Sequence, residues 1–215
     1  PDSLSSSTIE SLYEDREGGF WAGTWGGGVS RHSPAQDKFT LYRGDPENPK
    51  GFPAEAPFGM YADSSGVAWI GTAGGGLARF DPASGETKRF QNDPKDPDSL
   101  NYNNVWGVYR DRSGTLWLGT GNGLDQMDEK TGKFIHHMAD KEKPDTSLRG
   151  KSVAALYESA DGSFWVGTDR GLDRYDRVSG LFTHIVDPAN PQGATSENVQ
   201  AIFEDRDGFL WVGTF

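Results

Sequence analysis

Five tryptophans recur along the chain at gaps of 48, 48, 48 and 46 residues. Each is preceded by a glycine three positions earlier and followed by Gly-Thr two and three positions later. The five are Trp21, Trp69, Trp117, Trp165 and Trp211. Self-similarity at a period near 50 residues indicates a repeat architecture. One array therefore covers nearly all 215 residues, and functional residues are expected where the copies differ.

The fourth copy shows what one period contains. Residues 153–157 and 164–168 are short apolar runs separated by the turn signal Asp161-Gly162, and residues 172–175 and 181–185 are two further runs after turns. An x-Gly pair between two such runs is a strong hairpin signal. Four short strands in a period of this length are typical of a β-propeller blade.

The predicted fold is all-β, a β-propeller of four-stranded blades of about 48 residues. Four and a half repeats are present, which makes the chain an open arc or a fragment of a larger ring. The predicted blades are residues 9–56, 57–104, 105–152 and 153–198, with a partial blade at 199–215. Because exposed strand edges are a liability that closure removes, missing flanking sequence is favoured over the association of two arcs.

Charge and composition narrow the classes of partner. The net charge of −11 argues against nucleic acid and anionic membrane surfaces. The chain has no cysteine, so it has no disulfide framework, thiolate metal site or cysteine nucleophile. No apolar run is long enough to insert into a membrane, and we expect no cofactor and no metal.

The residues repeated in every copy are interpreted as structural. Identical placement of the five tryptophans favours packing between blades over a stacking platform for a ligand. An acidic residue stands six positions before four of them, at Asp15, Asp63, Asp111 and Asp205, and Ser159 replaces it in the fourth copy. Each carboxylate is expected to accept hydrogen bonds from its own turn rather than to bind a metal.

The repeat resembles the two-component regulator propeller repeat. Its pattern, Glu-Asp-x-x-Gly-x-Leu-Trp-Ile-Gly-Thr followed by Gly-Gly-Leu-x-Arg-Phe-Asp, is matched closely by residues 204–214 and 75–81, and an inter-blade Asp-Pro-x-Ser-Leu element lies at 96–100. The resemblance implies a sensor propeller, periplasmic or otherwise extracytoplasmic, of a bacterial hybrid histidine kinase, related transcription factor or diguanylate cyclase. It also implies an oligosaccharide or other small polar ligand, and a homodimer through the propeller or flanking domains.

Strand direction indicates where a ligand would bind. In an antiparallel blade, the turn between strands two and three and the connection to the next blade emerge on one face. The blade connections are long and variable, at residues 43–56, 92–104, 139–152 and 187–198. Because binding residues concentrate on variable loops held by a rigid scaffold, this variable-loop face is the predicted ligand face.

Candidate ligand-binding residues are those that break the repeat there. Aromatic side chains suit stacking on a sugar ring, and amides and charges suit its hydroxyl groups. The candidates are Trp25, Tyr102, Asn103, Asn104, Trp106, Arg149, Lys151 and Asp169. The structural alternative for Trp25 and Trp106 is that they pack beneath a loop or fill the mouth of a channel.

Enzymatic chemistry has little support in the sequence. His136 and His137 are adjacent in a strand, so they point to opposite faces and cannot share a metal. No nucleophile elbow, zinc pattern or phosphate loop is present, and no catalytic residue is predicted. Two alternatives remain open, a scaffold propeller for protein interaction or dimerisation and a carbohydrate-active lyase or glycosidase.

Overall fold

In the computed structural model, residues 4–15, 18–35, 37–45, 47–48, 51–186 and 197–215 are described. Residues 187–196, most of the last predicted connection, lie outside them. The described residues contain eighteen β-strands and no helix. The strands form four four-stranded sheets and one two-stranded sheet, which confirms the predicted all-β blades and the count of four and a half repeats.

In each four-stranded sheet the strands lie side by side in chain order. Paired neighbouring strands run antiparallel. The first blade has β1 (Ile9–Glu14), β2 (Phe20–Thr24), β3 (Gly28–Ser33) and β4 (Lys38–Tyr42). The second has β5 (Pro57–Ala62), β6 (Ala68–Thr72), β7 (Gly76–Phe80) and β8 (Thr87–Phe90). The third has β9 (Val105–Arg110), β10 (Leu116–Thr120), β11 (Gly123–Asp128) and β12 (Lys133–His137).

The fourth blade has β13 (Val153–Glu158), β14 (Phe164–Thr168), β15 (Gly171–Asp176) and β16 (Leu181–His184). The two-stranded sheet pairs β17 (Val199–Glu204) with β18 (Leu210–Thr214). The chain divides into two compact units, Pro1–Val108 and Tyr109–Phe215.

The repeated hairpin places one carboxylate under the turn in four of its five copies. Asp111 Oδ1 accepts the Thr115 amide at 2.9 Å, as predicted, and its Oδ2 also accepts the indole N–H of Trp117 at 2.8 Å. Gly114 closes the turn at φ 89°, a conformation that favours glycine. In the fourth copy, Ser159 Oγ accepts the Trp165 indole at 2.8 Å. In the hairpins of Asp15, Asp111 and Asp205, one side chain thus fixes both the turn and the tryptophan.

The repeated Gly-Thr pair joins one blade to the next. A Cβ added at Gly119 would lie 2.6 Å from the Val153 carbonyl oxygen, so glycine allows the next blade's first strand to approach closely. The Thr120 hydroxyl donates to the Gly123 carbonyl at 3.0 Å and so closes the turn between β10 and β11. The motif is therefore architectural.

The repeated tryptophans of the first three blades, Trp21, Trp69 and Trp117, are buried as predicted, and Trp165 of the fourth blade is half-buried. In the first unit, Trp21 is buried in a core with Val29, Met60, Ile70 and Phe80. In the second unit, Trp117 packs against Phe164 and Tyr175 of the following blade, at 5.1 and 5.5 Å between ring centroids. Trp211 differs, since 64% of it is exposed and β18 pairs only with β17.

Candidate functional site

A cavity of about 870 Å³ lies in the second unit. One wall is the connection between β12 and β13, residues 138–152. The turns after β10 and β14 contribute Asn122 and Arg170, and the end of β16 contributes His184. All of these elements emerge on the predicted variable-loop face, and the volume is in the range of small-molecule sites, roughly 300–1,000 Å³.

The connection is anchored by one apolar and one polar residue. Leu148 is 1% exposed and belongs to the core that contains Trp117 and Val153. The Ser147 hydroxyl accepts the Asp140 amide at 2.9 Å. These contacts hold the loop as a wall of the cavity rather than as a free segment.

A buried carboxylate on β15 ties the connection to the blade. Asp173, with a side chain 0% exposed, accepts the Arg149 amide at 2.8 Å through Oδ2 and lies 3.6 Å from the Arg149 Nε through Oδ1. His184 Nδ1 lies 2.7 Å from the same Oδ1, and its Nε2 lies 2.6 Å from the Pro144 carbonyl oxygen. Asp173 therefore fixes two separate points of the connection, Arg149 directly and Pro144 through the imidazole.

Burial is the largest influence on Asp173. It raises the pKa of the carboxyl, although hydrogen bonds from the Arg149 amide and His184, and the charges of both residues, oppose the rise. Both ring nitrogens of His184 are engaged within the protein, one with Asp173 and the other with the Pro144 carbonyl. Neither nitrogen is free to face a ligand in the cavity.

Three predicted site residues lie together at this cavity. Arg149 and Lys151 line it, and Asp169 lies beside Lys151. The Asp169 Oδ1 accepts the backbone amides of Lys151 and Ser152 at 2.8 and 3.1 Å. Asp169 therefore positions the backbone that carries Lys151, and a direct role for these three residues in ligand binding stays a prediction.

The other predicted site residues lie in the first unit. Trp25 and Tyr102 are 58% and 46% exposed. Asn103 is engaged in structure, since its Oδ1 accepts the Asn92 amide at 2.7 Å and its carbonyl accepts the amides of Gly74 and Gly76. Asn104 forms a β-bridge with Ala73. Trp106 is half-buried and packs edge-on against Phe58, at 4.9 Å between ring centroids.

Sequence reasoning did not select His184 or its carboxylate partner. The same arrangement occurs in the third blade, where His136 Nδ1 lies 2.8 Å from Asp125 Oδ1. Both pairs are direct cross-strand neighbours, eleven residues apart. The first two blades have Ser30 opposite Leu41 and Ala78 opposite Arg89 at this position. The sequence does contain a signal for these Asp–His pairs. In two consecutive copies, Gly-Leu-Asp is followed by a histidine eleven residues after the aspartate.

His136 and His137 point to opposite faces, as predicted. His136 pairs with Asp125, whereas His137 packs among Trp117, Tyr175 and Phe182. Burial, with a smaller contribution from the His136 charge, lowers the pKa of His137. Within the described residues, no group of three or more His, Asp or Glu is placed to hold a metal ion. That part of the chain also has no helix long and apolar enough to cross a membrane.

The blades and their repeated hairpins define the class of protein as a β-propeller. The family model described as "Two component regulator propeller" matches residues 3–26, 99–122, 147–170 and 193–215. Four segments of the chain, one in each of four repeats, thus match the two-component regulator propeller repeat. No curated protein matches its sequence.

Solved structures share the fold at low sequence identity. The extracellular domain of BT3049, assigned to a hybrid two component system of B. thetaiotaomicron, superposes with a TM-score of 0.80 at 24% identity, over 99% of this chain and 28% of its own. Inactive virginiamycin B lyase from Staphylococcus aureus, solved with quinupristin, gives 0.70 at 14% identity, over 96% and 63%. PorZ, a surface component of the type-IX secretion system of Porphyromonas gingivalis, gives 0.66 at 18%, over 95% and 30%. The chain thus spans about a quarter of the BT3049 domain.

Proposed function

We propose that this chain is the ligand-sensing, extracytoplasmic part of a bacterial two-component or related signalling regulator. Its ligand is a small polar molecule, such as an oligosaccharide, bound on the variable-loop face. The observation that carries the proposal is the cavity beneath residues 138–152, whose walls are fixed by the buried Asp173.

The lining of the cavity supports binding of a polar ligand with an apolar surface. Met138 and Pro144 supply apolar contact, and Asn122, Lys141 and Arg170 supply hydrogen-bond donors. A mainly apolar surface with a few placed polar groups is the usual composition of a ligand site. Because Asp173 and Leu148 already order the loop, little conformational entropy would be lost on binding.

The arrangement favours binding over catalysis. His184 has both ring nitrogens engaged. Asp140 is the one carboxylate among the described lining residues, and its Oδ1 accepts the Glu142 amide at 2.8 Å. A general acid–base pair would need two titratable groups free to face the substrate. Any catalytic activity of the whole protein would then belong to another domain.

The family and the fold support a signalling role outside the cytoplasm. Four segments of the chain match the two-component regulator propeller repeat, and the fold matches the extracellular domain of BT3049. Binding would act by favouring one packing or dimer geometry of the propeller over another and so bias a downstream element. The net charge of −11 disfavours nucleic acid as a partner.

Thermal denaturation against a panel of plant and microbial oligosaccharides tests the proposal. A ligand that binds only the folded state raises the melting temperature, and the rise grows with the logarithm of its concentration once that exceeds Kd. Asn122→Ala should abolish the rise if the cavity is the site, and Trp25→Ala should abolish it if the first-unit residues are. If the chain melts cooperatively but no oligosaccharide shifts the melting temperature, the proposal that it senses an oligosaccharide is refuted. The scaffold alternative is then favoured.

A further inference from the structure

The charged side chains that line the second-unit cavity are mainly cationic, whereas the net charge of the whole chain is negative. Lys141, Arg149, Lys151 and Arg170 line it, against one lining carboxylate, Asp140. The whole chain has 32 acidic and 21 basic side chains. A cationic rim in an acidic protein is a local feature that surface composition does not explain.

Three of the four cations have no carboxylate partner. Among the described residues, no ion pair involves the side chain of Lys141, Lys151 or Arg170, whereas most of the ion-paired arginines, such as Arg177 and Arg89, lie against buried or half-buried acids. Arg149 is the exception at the cavity, since it faces Asp173 at 3.6 Å. Two of these cations, Lys141 and Lys151, lie on the β12–β13 connection, and Arg170 lies on the β14–β15 turn. The two elements converge on one cavity.

Backbone contacts hold two of these cations at the rim. The Lys151 amide donates to Asp169 Oδ1 at 2.8 Å, and the Arg170 amide donates to the Thr168 hydroxyl at 3.1 Å. Their main chains are therefore fixed while their side chains stay free to contact a ligand. Guanidinium and ammonium groups placed in this way suit carboxylate and sulfate, and the guanidinium adds bidentate geometry.

We propose that the cavity selects an anionic ligand, a small glycan that carries carboxylate or sulfate groups, with Lys141, Lys151 and Arg170 as the groups that contact its charge. This inference rests on the proposed function and specifies the chemistry of its ligand. Met138 and Pro144 supply the apolar surface for the ring faces, while the cations pair with the substituents.

Calorimetric titration with matched glycans tests the selection. The probes are an oligogalacturonate, a sulfated disaccharide and a neutral galacto-oligosaccharide of the same length as the oligogalacturonate. We expect at least one acidic probe to bind more tightly than the neutral one, and its affinity to fall as the salt concentration rises. The two acidic probes distinguish carboxylate from sulfate as the recognised group.

Variants locate the effect. Lys151→Gln and Arg170→Gln should each weaken acidic-glycan binding by about tenfold, the effect of one lost charge-assisted hydrogen bond. Lys130→Gln, an exposed lysine in the β11–β12 turn that does not line the cavity, is the matched control and should leave the affinity unchanged. The proposed selection for anionic ligands would be overturned if the neutral glycan bound as tightly as the acidic ones. It would also be overturned if neither cavity variant changed the affinity for the acidic glycans. In both cases the sensor proposal would stand. No binding by any probe to the folded chain would overturn both.

Discussion

The imidazole of His184 links Asp173 to the Pro144 carbonyl, with distances of 2.7 and 2.6 Å from its two nitrogens. The link connects a fully buried carboxylate on β15 to the middle of the loop that walls the cavity. One side chain on the outermost strand of the blade therefore couples the core of the fold to the shape of the candidate site.

Replacement of this histidine should release the loop. In His184→Ala, Asp173 keeps the Arg149 amide and the ion pair with Arg149 but loses the imidazole at Oδ1, and removing one partner of a buried polar group costs about 1–3 kcal/mol. We expect faster hydrogen exchange across residues 138–148 and a lower unfolding free energy. His32→Ala is the control, because His32 pairs at 3.2 Å with an Asp37 side chain that is 97% exposed. Such a surface pair contributes about 0–1 kcal/mol. Equal effects of the two variants would contradict the structural role of His184.

A glycine in the same connection has no room for a side chain. A Cβ on Gly150 would overlap Asp169 Oδ1 and lie 2.5 Å from Thr168 Oγ1, so Gly150→Ala must displace either the loop or the turn after β14. Overpacking of this kind costs about 1–3 kcal/mol. Chemical denaturation measures the cost.

The double variant Gly150→Ala/Asp169→Ala separates the two obstacles. If the Asp169 carboxylate causes most of the strain, the two substitutions should be non-additive in a double-mutant cycle. Strict additivity would show that Gly150 is not held against Asp169.

Two tryptophans at equivalent repeat positions should differ in their contribution to stability. Trp117 is 1% exposed and Trp211 is 64% exposed, although both donate an indole hydrogen bond to an aspartate. Trp117→Ala should cost about 3–5 kcal/mol, as expected for a large buried aromatic, and Trp211→Ala much less. Urea unfolding of the two variants gives the comparison, and similar losses would show that burial does not decide the difference.

The sequence was sufficient for the fold because the fold repeats. The spacing of Trp21, Trp69, Trp117 and their glycines predicted the blades, the turn hydrogen bonds and the packing role of the tryptophan. Every copy carries the same sequence pattern in its strands and turns. A wrong strand assignment in one copy would therefore have disagreed with the assignments in the other copies.

The candidate site was only partly predictable, because it depends on residues that meet across strands. Arg149 and Lys151 were selected since they lie in a variable connection, but Asp169 and Asn103 were selected for position alone and bond to backbone amides. His184 lies on the outermost strand of its blade, yet its ring reaches Pro144, forty residues earlier. Linear spacing does not show such contacts.

Acid should destabilise the second unit through the hairpin carboxylate Asp111. Burial would raise the pKa of Asp111, but hydrogen bonds from Ser113, Trp117 and Thr115 and the Arg177 charge outweigh it and lower the pKa below its usual value of 3.8. The folded state therefore binds this proton less readily than the unfolded state. The stabilisation is fully present above about pH 4 and is lost as the pH falls through the lower, folded-state value.

Asp111→Asn isolates this contribution. At pH 7 the variant should lose about 1–3 kcal/mol, because an amide nitrogen cannot accept the hydrogen bonds that the carboxylate accepts. The difference from the unmodified chain should shrink as the pH falls below about 4, where the carboxyl of the unmodified chain also becomes protonated. Asp205→Asn is the matched control, since Asp205 makes the same bonds to Phe209 and Trp211 in an exposed hairpin. Urea unfolding between pH 3 and 7 measures both, and a pH-independent loss in Asp111→Asn would refute the assignment.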